Sequence, residues 1–117
     1  MEGVYDKYGG ESFWEMIIDQ FYDRNINDIE LKGFFEGKNV QKIKAMNRHL
    51  LSVALRCSND HFPISVKRVH RGFRIATGHF DRFVSNFQTV LTANKISEED
   101  SEYIIMVVDS FRDDVVA

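Results

Sequence analysis

The chain has 117 residues, a net charge of −3, a single proline and seven glycines. That length reads as one domain, 1–117, burying roughly two-thirds of the surface of its unfolded chain, and with Cys57 as the lone cysteine no internal disulfide can form. The balance of charge excludes a generally basic nucleic-acid binder, and the composition excludes a disordered or fibrous chain.

Met1 to Lys7 is charged and has no apolar stretch, so it does not read as a secretory signal. Gly9-Gly10 allows a tight entry turn, because glycine tolerates positive φ. Phe13, Trp14, Ile17, Ile18, Phe21 and Tyr22 then share one face of a helix from Ser12 to Asn25. Phe34-Phe35-Glu36-Gly37 reads as a short helix or turn closed by glycine. A second long amphipathic helix, Val40 to Leu55, carries Ile43, Met46, Asn47, Leu50, Leu51, Ala54 and Leu55 inward.

Cys57-Ser58-Asn59-Asp60 and Pro63 mark the one strong break. A short helical segment follows with Val66, Val69 and His70, and Gly72 stops it. Thr77 is placed to cap a helix with Phe80, Phe83, Val84, Phe87, Val90 and Leu91 on one face. Ser97-Glu98-Glu99-Asp100 resembles a capping box, with acids where the helix dipole favours them. The last helix carries Tyr103, Ile104, Val107, Val108 and Phe111. The longest apolar run, Tyr103 to Val108, falls far short of the roughly 20 residues of a membrane span. The expectation is an all-α, soluble, cytoplasmic domain.

The informative residues are polar ones on apolar faces. Asn47 lies in the inward stripe of the second long helix, and Tyr22 brings a hydroxyl to the end of the first. A buried amide without partners costs about 1–3 kcal/mol, so the plain expectation is that these two satisfy each other or a buried water. His70 follows Val69 on its short segment, where a satisfied core histidine is the ordinary case and a metal ligand the sharper one. His49 falls off the stripe and faces solvent, His61 is in a loop, and His79 sits at a helix start in a capping or surface role. The histidines lack the spacing of a closed zinc site. No nucleophile motif and no phosphate loop is present, so no catalytic residue is assigned.

Taken together, these residues resemble the group I truncated haemoglobins, two-over-two helical globins with one b-type haem. Tyr5-Asp6-Lys7-Tyr8-Gly9-Gly10 is similar to the family's N-terminal glycine motif. Phe21-Tyr22 is similar to its paired aromatic, Phe34-Phe35-Glu36-Gly37 to its haem-stacking corner, and Val69-His70, Gly72 and His79-Phe80 to its proximal segment. The four anchors fall at the family's spacings without a gap between them, and the resemblance covers the chain from Val4 to about Val116.

The resemblance implies a truncated globin fold, one haem b per chain, and His70 as the proximal iron ligand. It places Tyr22 and Asn47 on the ligand side. It puts Phe34 and Phe35 on the porphyrin face, with Ile43, Met46, Leu51, Val66, Val69, Arg71, Ile75 and Phe83 in cofactor contact. Hydrogen bonds from Tyr22 and Asn47 to a ligand with partial negative charge would slow its release by roughly one to four decades. The chain departs from the family at Arg56-Cys57, where Gly-Gly is common, at Ile43, where several members carry glutamine, and at Leu51, in place of an aromatic gate. It also departs at Met46, where some relatives carry a histidine or lysine that ligates iron.

The implied function is reversible binding of dioxygen, nitric oxide and carbon monoxide by a monomer. As an enzyme it would be a nitric oxide dioxygenase, with a separate reductase because no flavin or nicotinamide domain is encoded. Two alternatives stay open: a redox or sensing haem protein with Met46 as distal ligand, and a haem-free helical interaction module. No nucleic-acid or membrane partner is implied. The charge also divides unevenly. Lys38 to Arg74 holds nine basic residues against Asp60 alone, so one or two of Lys42, Lys44, Lys67, Arg68, Arg71 and Arg74 are expected on the haem propionates.

Overall fold

The computed structural model describes residues 3–56 and 75–112. Within them the chain is helical, with no strand: α1 (Val4–Lys7), α2 (Gly10–Asn27), a 3-10 turn (Lys32–Phe35), α3 (Val40–Arg56), α4 (Thr77–Ala93) and α5 (Glu98–Asp109). The short segment after Pro63, including His70, lies outside the described residues.

The entry turn is built as its glycines suggest. Gly9 has φ 128° and Gly10 φ 67°. A Cβ on Gly9 would also stand 3.1 Å from the Phe13 Cβ, so this corner needs glycine for both conformation and space. The turn folds α1 back onto α2. There the buried Trp14 donates its Nε1–H to the Tyr5 carbonyl at 2.9 Å, and the two rings stack with centroids 6.1 Å apart.

α2 is the central element. Trp14, Ile17, Ile18, Tyr22 and Asn25 are buried along it, at the spacing of one helix face. α2 packs against both α3 and α4, α4 packs against α5, and α3 also touches α5, which gives two layers of paired helices. This is the two-over-two arrangement expected from the sequence. Leu51 and Leu55 of α3, Phe87, Val90 and Leu91 of α4 and Ile104 of α5 meet the α2 residues in one continuous core.

Three local expectations are corrected. Ala76, not Thr77, is the N-cap of α4, and its backbone N–H donates to the His79 Nδ1 at 3.4 Å. The imidazole nitrogen takes up the N-cap's own backbone N–H, whereas a capping Thr77 hydroxyl was expected to accept from an N–H of the first turn. Ser97 caps α5 by accepting from the Asp100 backbone at 3.1 Å, but the reciprocal half of the box is absent. Asp100 instead takes Lys7 at 2.8 Å and the Tyr8 hydroxyl at 2.6 Å, and that same hydroxyl oxygen accepts the Ser97 backbone N–H. The long-range clamp from α1 to α5 displaces the local cap. Finally, Tyr103 is exposed and Phe111 lies just beyond α5, so the last helix buries a narrower stripe than its composition suggests.

A polar knot joins the end of α2 to α4. Asn25 is fully buried and its Oδ1 accepts from Asn86 Nδ2 at 3.0 Å, while its own Nδ2 meets no partner among the described residues. Asp28 accepts from Arg82 Nε at 2.6 Å, from Asn86 Nδ2 at 3.2 Å and from the Glu30 backbone at 2.9 Å. These donors hold its carboxyl down at about 2, well below the usual carboxylate range, with the Arg82 bond the largest cause. The Asp28 carbonyl also accepts from Leu31 and Lys32, so one residue starts the 3-10 turn and anchors it to α4.

Candidate functional site

Between α2, the 3-10 turn, α3, α4 and α5 lies a cavity of about 150 Å³. α2 contributes Ile18, Phe21 and Tyr22; α3 contributes Ile43, Met46, Asn47, Leu50, Leu51 and Ala54. Phe80, Phe83, Val84 and Phe87 line it from α4, and Val108 and Phe111 from the chain's last turns. Phe34 and Phe35 close one side, and Ile75 lines it just before α4. Protein interiors are ordinarily packed to the density of organic crystals. Walls this apolar around a space this large are shaped for a flat, largely apolar body.

The elements explain why the walls stand apart. The 3-10 turn is followed by Gly37 at φ 72°, and it sets Phe34 and the buried Phe35 as a corner at the cavity's edge. Phe83 meets that corner, with centroids 6.2 Å from both Phe34 and Phe35. Phe34 also meets the His79 ring edge-on at 4.9 Å, so the residue that caps α4 braces the outer phenylalanine. Arg82, which holds Asp28, is the neighbour of Phe83, so the polar knot and the aromatic corner are tied to one turn of α4.

Two residues of the lining are polar, Tyr22 and Asn47. Tyr22 is buried, with its ring set edge-on to Phe21 at 5.0 Å and Phe35 at 5.6 Å. Burial pushes its phenol well above the ordinary tyrosine range, and a hydrogen bond from Asn47 opposes this in part. The hydroxyl therefore keeps its proton at any ordinary pH and stays a donor. Asn47 donates from Nδ2 to the Ile43 carbonyl, one turn back on α3, at 2.9 Å. The expectation that Tyr22 and Asn47 meet is borne out.

The structure brings Tyr22, Phe34, Phe35, Ile43, Met46, Asn47, Leu51, Ile75 and Phe83 around this one cavity. His70, Val66, Val69 and Arg71 lie outside the described residues. Of the basic residues expected near propionates, Lys44 is turned the other way. It is buried and its Nζ sits 3.3 Å from Asp19 and 4.0 Å from Asp23, both on α2. Lys42 is exposed, and Lys67, Arg68 and Arg74 lie outside the described residues.

Sequence reasoning missed Ile18, Phe21, Leu50, Ala54, Phe80, Val84, Phe87, Val108 and Phe111 as lining. Their helical periodicity was visible, but an apolar stripe has the same spacing whether it meets another helix or a cavity. The chemistry of the set fits a haem: aromatic rings for a porphyrin face, an apolar enclosure, and one polar spot on the α2–α3 side. Among the described residues no group of three or more histidine, cysteine, aspartate or glutamate side chains is placed to hold a bare metal ion. No helix of the described residues is long and apolar enough to cross a membrane.

Comparison with known proteins agrees with this reading. The bacterial-like globin family matches residues 3–117. The chain is 30% identical over 96 residues to the group 1 truncated haemoglobin GlbN of Mycolicibacterium paratuberculosis, covering 82% of this chain and 71% of that one. It is 21% identical over 113 residues to the group 1 truncated haemoglobin of Tetrahymena pyriformis, covering 97% and 93%. The fold superposes on the crystal structure of that Tetrahymena protein in its Fe(III) form with a TM-score of 0.87, at 21% identity and 99% coverage of both chains. It superposes on the 2/2 haemoglobin of Synechococcus sp. PCC 7002, which carries covalently attached haem, with a TM-score of 0.89, 22% identity and 98% coverage of both. Crystal structures of the Tetrahymena protein include a tyrosine-to-phenylalanine variant and two glutamine-to-glutamate variants. Those three positions are spaced along that chain as Tyr22, Ile43 and Asn47 are here.

Proposed function

Since the chain belongs to the bacterial-like globin family, among the group 1 truncated haemoglobins, we propose that it binds one haem b and, through it, dioxygen and other diatomic ligands. The observation that carries the proposal is the cavity itself: apolar on every described side except where Tyr22 and Asn47 meet. Phe34, Phe35 and Phe83 would pack on the porphyrin, with Ile43, Met46, Leu51 and Ile75 along its edges. His70, beside Val66, Val69 and Arg71, would supply the proximal nitrogen. Haem brings a reducible iron that takes small ligands on its open side.

The protein's own contribution is exclusion and orientation. Its apolar walls keep bulk water from the site, and the Tyr22 hydroxyl offers a proton to a ligand whose outer atom is electron-rich. A charge-assisted hydrogen bond of that kind is worth about 1.5–3 kcal/mol, so it holds such a ligand while leaving an apolar one little affected. The physiological roles that follow are oxygen handling and conversion of nitric oxide to nitrate with a separate reductase.

The test is absorbance. The purified protein shows a Soret band, or gains one in a one-to-one titration with haem, and its ferrous spectrum shifts with carbon monoxide. Absence of any Soret band after haem addition rejects the proposal and leaves a helical interaction module. Met46 lines the cavity beside Asn47, and this favours a second reading, a redox or sensing protein in which its thioether ligates iron. A six-coordinate ferrous spectrum that Met46→Ala abolishes supports that reading; a spectrum unchanged by the substitution removes it.

A further inference from the structure

α5 has two faces of different character. Ser101, Ile104 and Val108 follow one another at helical steps on its inner side: Ser101 and Ile104 are buried, and Val108 lines the cavity. Glu99, Glu102, Tyr103, Met106 and Asp109 take the opposite side at the same kind of step, and all five are exposed. Tyr103 is 42% and Met106 61% exposed, so the middle of this outer face offers two large apolar side chains. Its two ends are acidic. Glu98, Glu99 and Glu102 stand at the first end, and Lys7, which arrives there from α1, is taken by Asp100 at 2.8 Å. At the other end Arg112 bonds Asp109 and Asp81, each at 2.7 Å, which sets one cation against two carboxylates.

We propose that this outer face of α5 is the docking surface for a separate one-electron reductase, one that presents lysine or arginine side chains around an apolar centre. The inference rests on the haem-globin reading and names the partner that its nitric oxide chemistry needs. When one nitric oxide and one dioxygen become one nitrate ion, the iron passes from ferrous to ferric, and the reductase must return one electron before the next turnover. Position favours this face. The exposed stripe and the cavity wall are opposite sides of a single helix, about 10–12 Å across with its side chains, so a donor seated on Met106 is one helix's width from the pocket. Its chemistry fits as well. A small apolar centre in a charged rim suits the weak, quickly released encounters of redox partners, which bury less than about 1,200 Å². Charge selects among occupants. A second copy docking through the same face would set acids against acids, and an anionic membrane surface would be repelled.

Cytochrome c, a basic redox protein, is the probe. Electron transfer from the ferrous protein to ferric cytochrome c is followed in stopped flow. Glu99→Lys combined with Glu102→Lys should slow the second-order rate about tenfold or more at low salt, and the difference should shrink as salt is raised. Glu11→Lys with Glu15→Lys makes the same change of net charge on α2, which packs against α3 and α4 rather than α5. The α5 pair should slow transfer at least about threefold more than the α2 pair. Equal effects would mean that net charge alone steers the probe and would overturn the proposal.

The second readout is binding itself. In the ¹H–¹⁵N spectrum, cytochrome c should move the backbone amide resonances of Glu99, Glu102, Tyr103 and Met106, and Tyr103→Ser with Met106→Ser should weaken the complex severalfold at unchanged net charge. Shifts centred on another element, or a complex indifferent to the serine pair, would overturn the proposal. So would self-association in sedimentation that Glu99→Lys with Glu102→Lys abolishes, because the face would then belong to a second copy. A chain that takes up no haem refutes the haem reading, and the amide shifts of the chain as purified still decide where the probe docks.

Discussion

Asp28→Asn tests the connection between the fold and the pocket. The substitution keeps an oxygen for the Glu30 backbone N–H and removes the charge that Arg82 and Asn86 hold at 2.6 and 3.2 Å. The Asp28 side chain is only 5% exposed, while that of Arg82 is 48% exposed, so the pair is neither a surface bridge nor a fully desolvated one. A hydrogen bond to a charged group contributes about 1.5–3 kcal/mol, and solvent around the guanidinium screens part of it, which leaves about 1–2 kcal/mol at neutral pH.

The pH dependence has a definite sign. The folded-state pKa of Asp28 is lowered to about 2 from 3.8, so its contribution is complete above the unfolded value and is lost as pH falls through about 2. Urea unfolding followed by far-UV circular dichroism should therefore show the variant destabilised at pH 6.5, with the gap reduced to about half at pH 3. The 3-10 turn that Asp28 leads into carries Phe34 and Phe35, so the variant should also release haem faster. An unchanged urea midpoint at pH 6.5, or a deficit that does not shrink in acid, would refute the assignment of this carboxylate as the anchor of the corner.

Three further outcomes are expected. Tyr22→Phe removes one charge-assisted bond and should speed oxygen dissociation by about ten- to a hundredfold in stopped flow; an equal rate would remove Tyr22 from the site. Trp14→Phe loses the buried bond to the Tyr5 carbonyl and should lower stability by about 1–3 kcal/mol in urea titration, with haem uptake retained. His70→Ala should abolish haem retention through gel filtration, whereas His79→Ala, whose ring caps α4 and braces Phe34, should weaken retention without abolishing it. The reverse pattern would reassign the proximal ligand.

Much of the architecture was legible because local rules and tertiary packing agree. The Trp14–Tyr22 stripe, the Gly9-Gly10 corner and the turn closed by Gly37 each follow from spacing or backbone freedom, and each was found where expected. Tyr22 and Asn47 stood out as polar residues on apolar faces, and their meeting follows from the cost of burying either alone. The capping of α4 and α5 was less legible. Local chemistry favoured Thr77 and an Asp100 box, but an imidazole three residues past the cap serves α4, and Lys7 and Tyr8 arrive at Asp100 from the opposite end of the chain.

Charge shows the same division. The sequence carries a basic middle and an acidic remainder, and it offers Lys44 as one of six candidates for the haem propionates. Which face Lys44 joins depends on how α3 rotates against α2, and that rotation gives it to Asp19 and Asp23 rather than to the pocket. Periodicity, glycine placement and residue chemistry are properties of the chain within a few residues, so they settle the helices, the corner and the two polar residues of the site. Direction is different. Where the Asn47 amide points, what shares Asp28, and which apolar stripes face a cavity instead of each other are set by helices distant in sequence, and no local pattern encodes them.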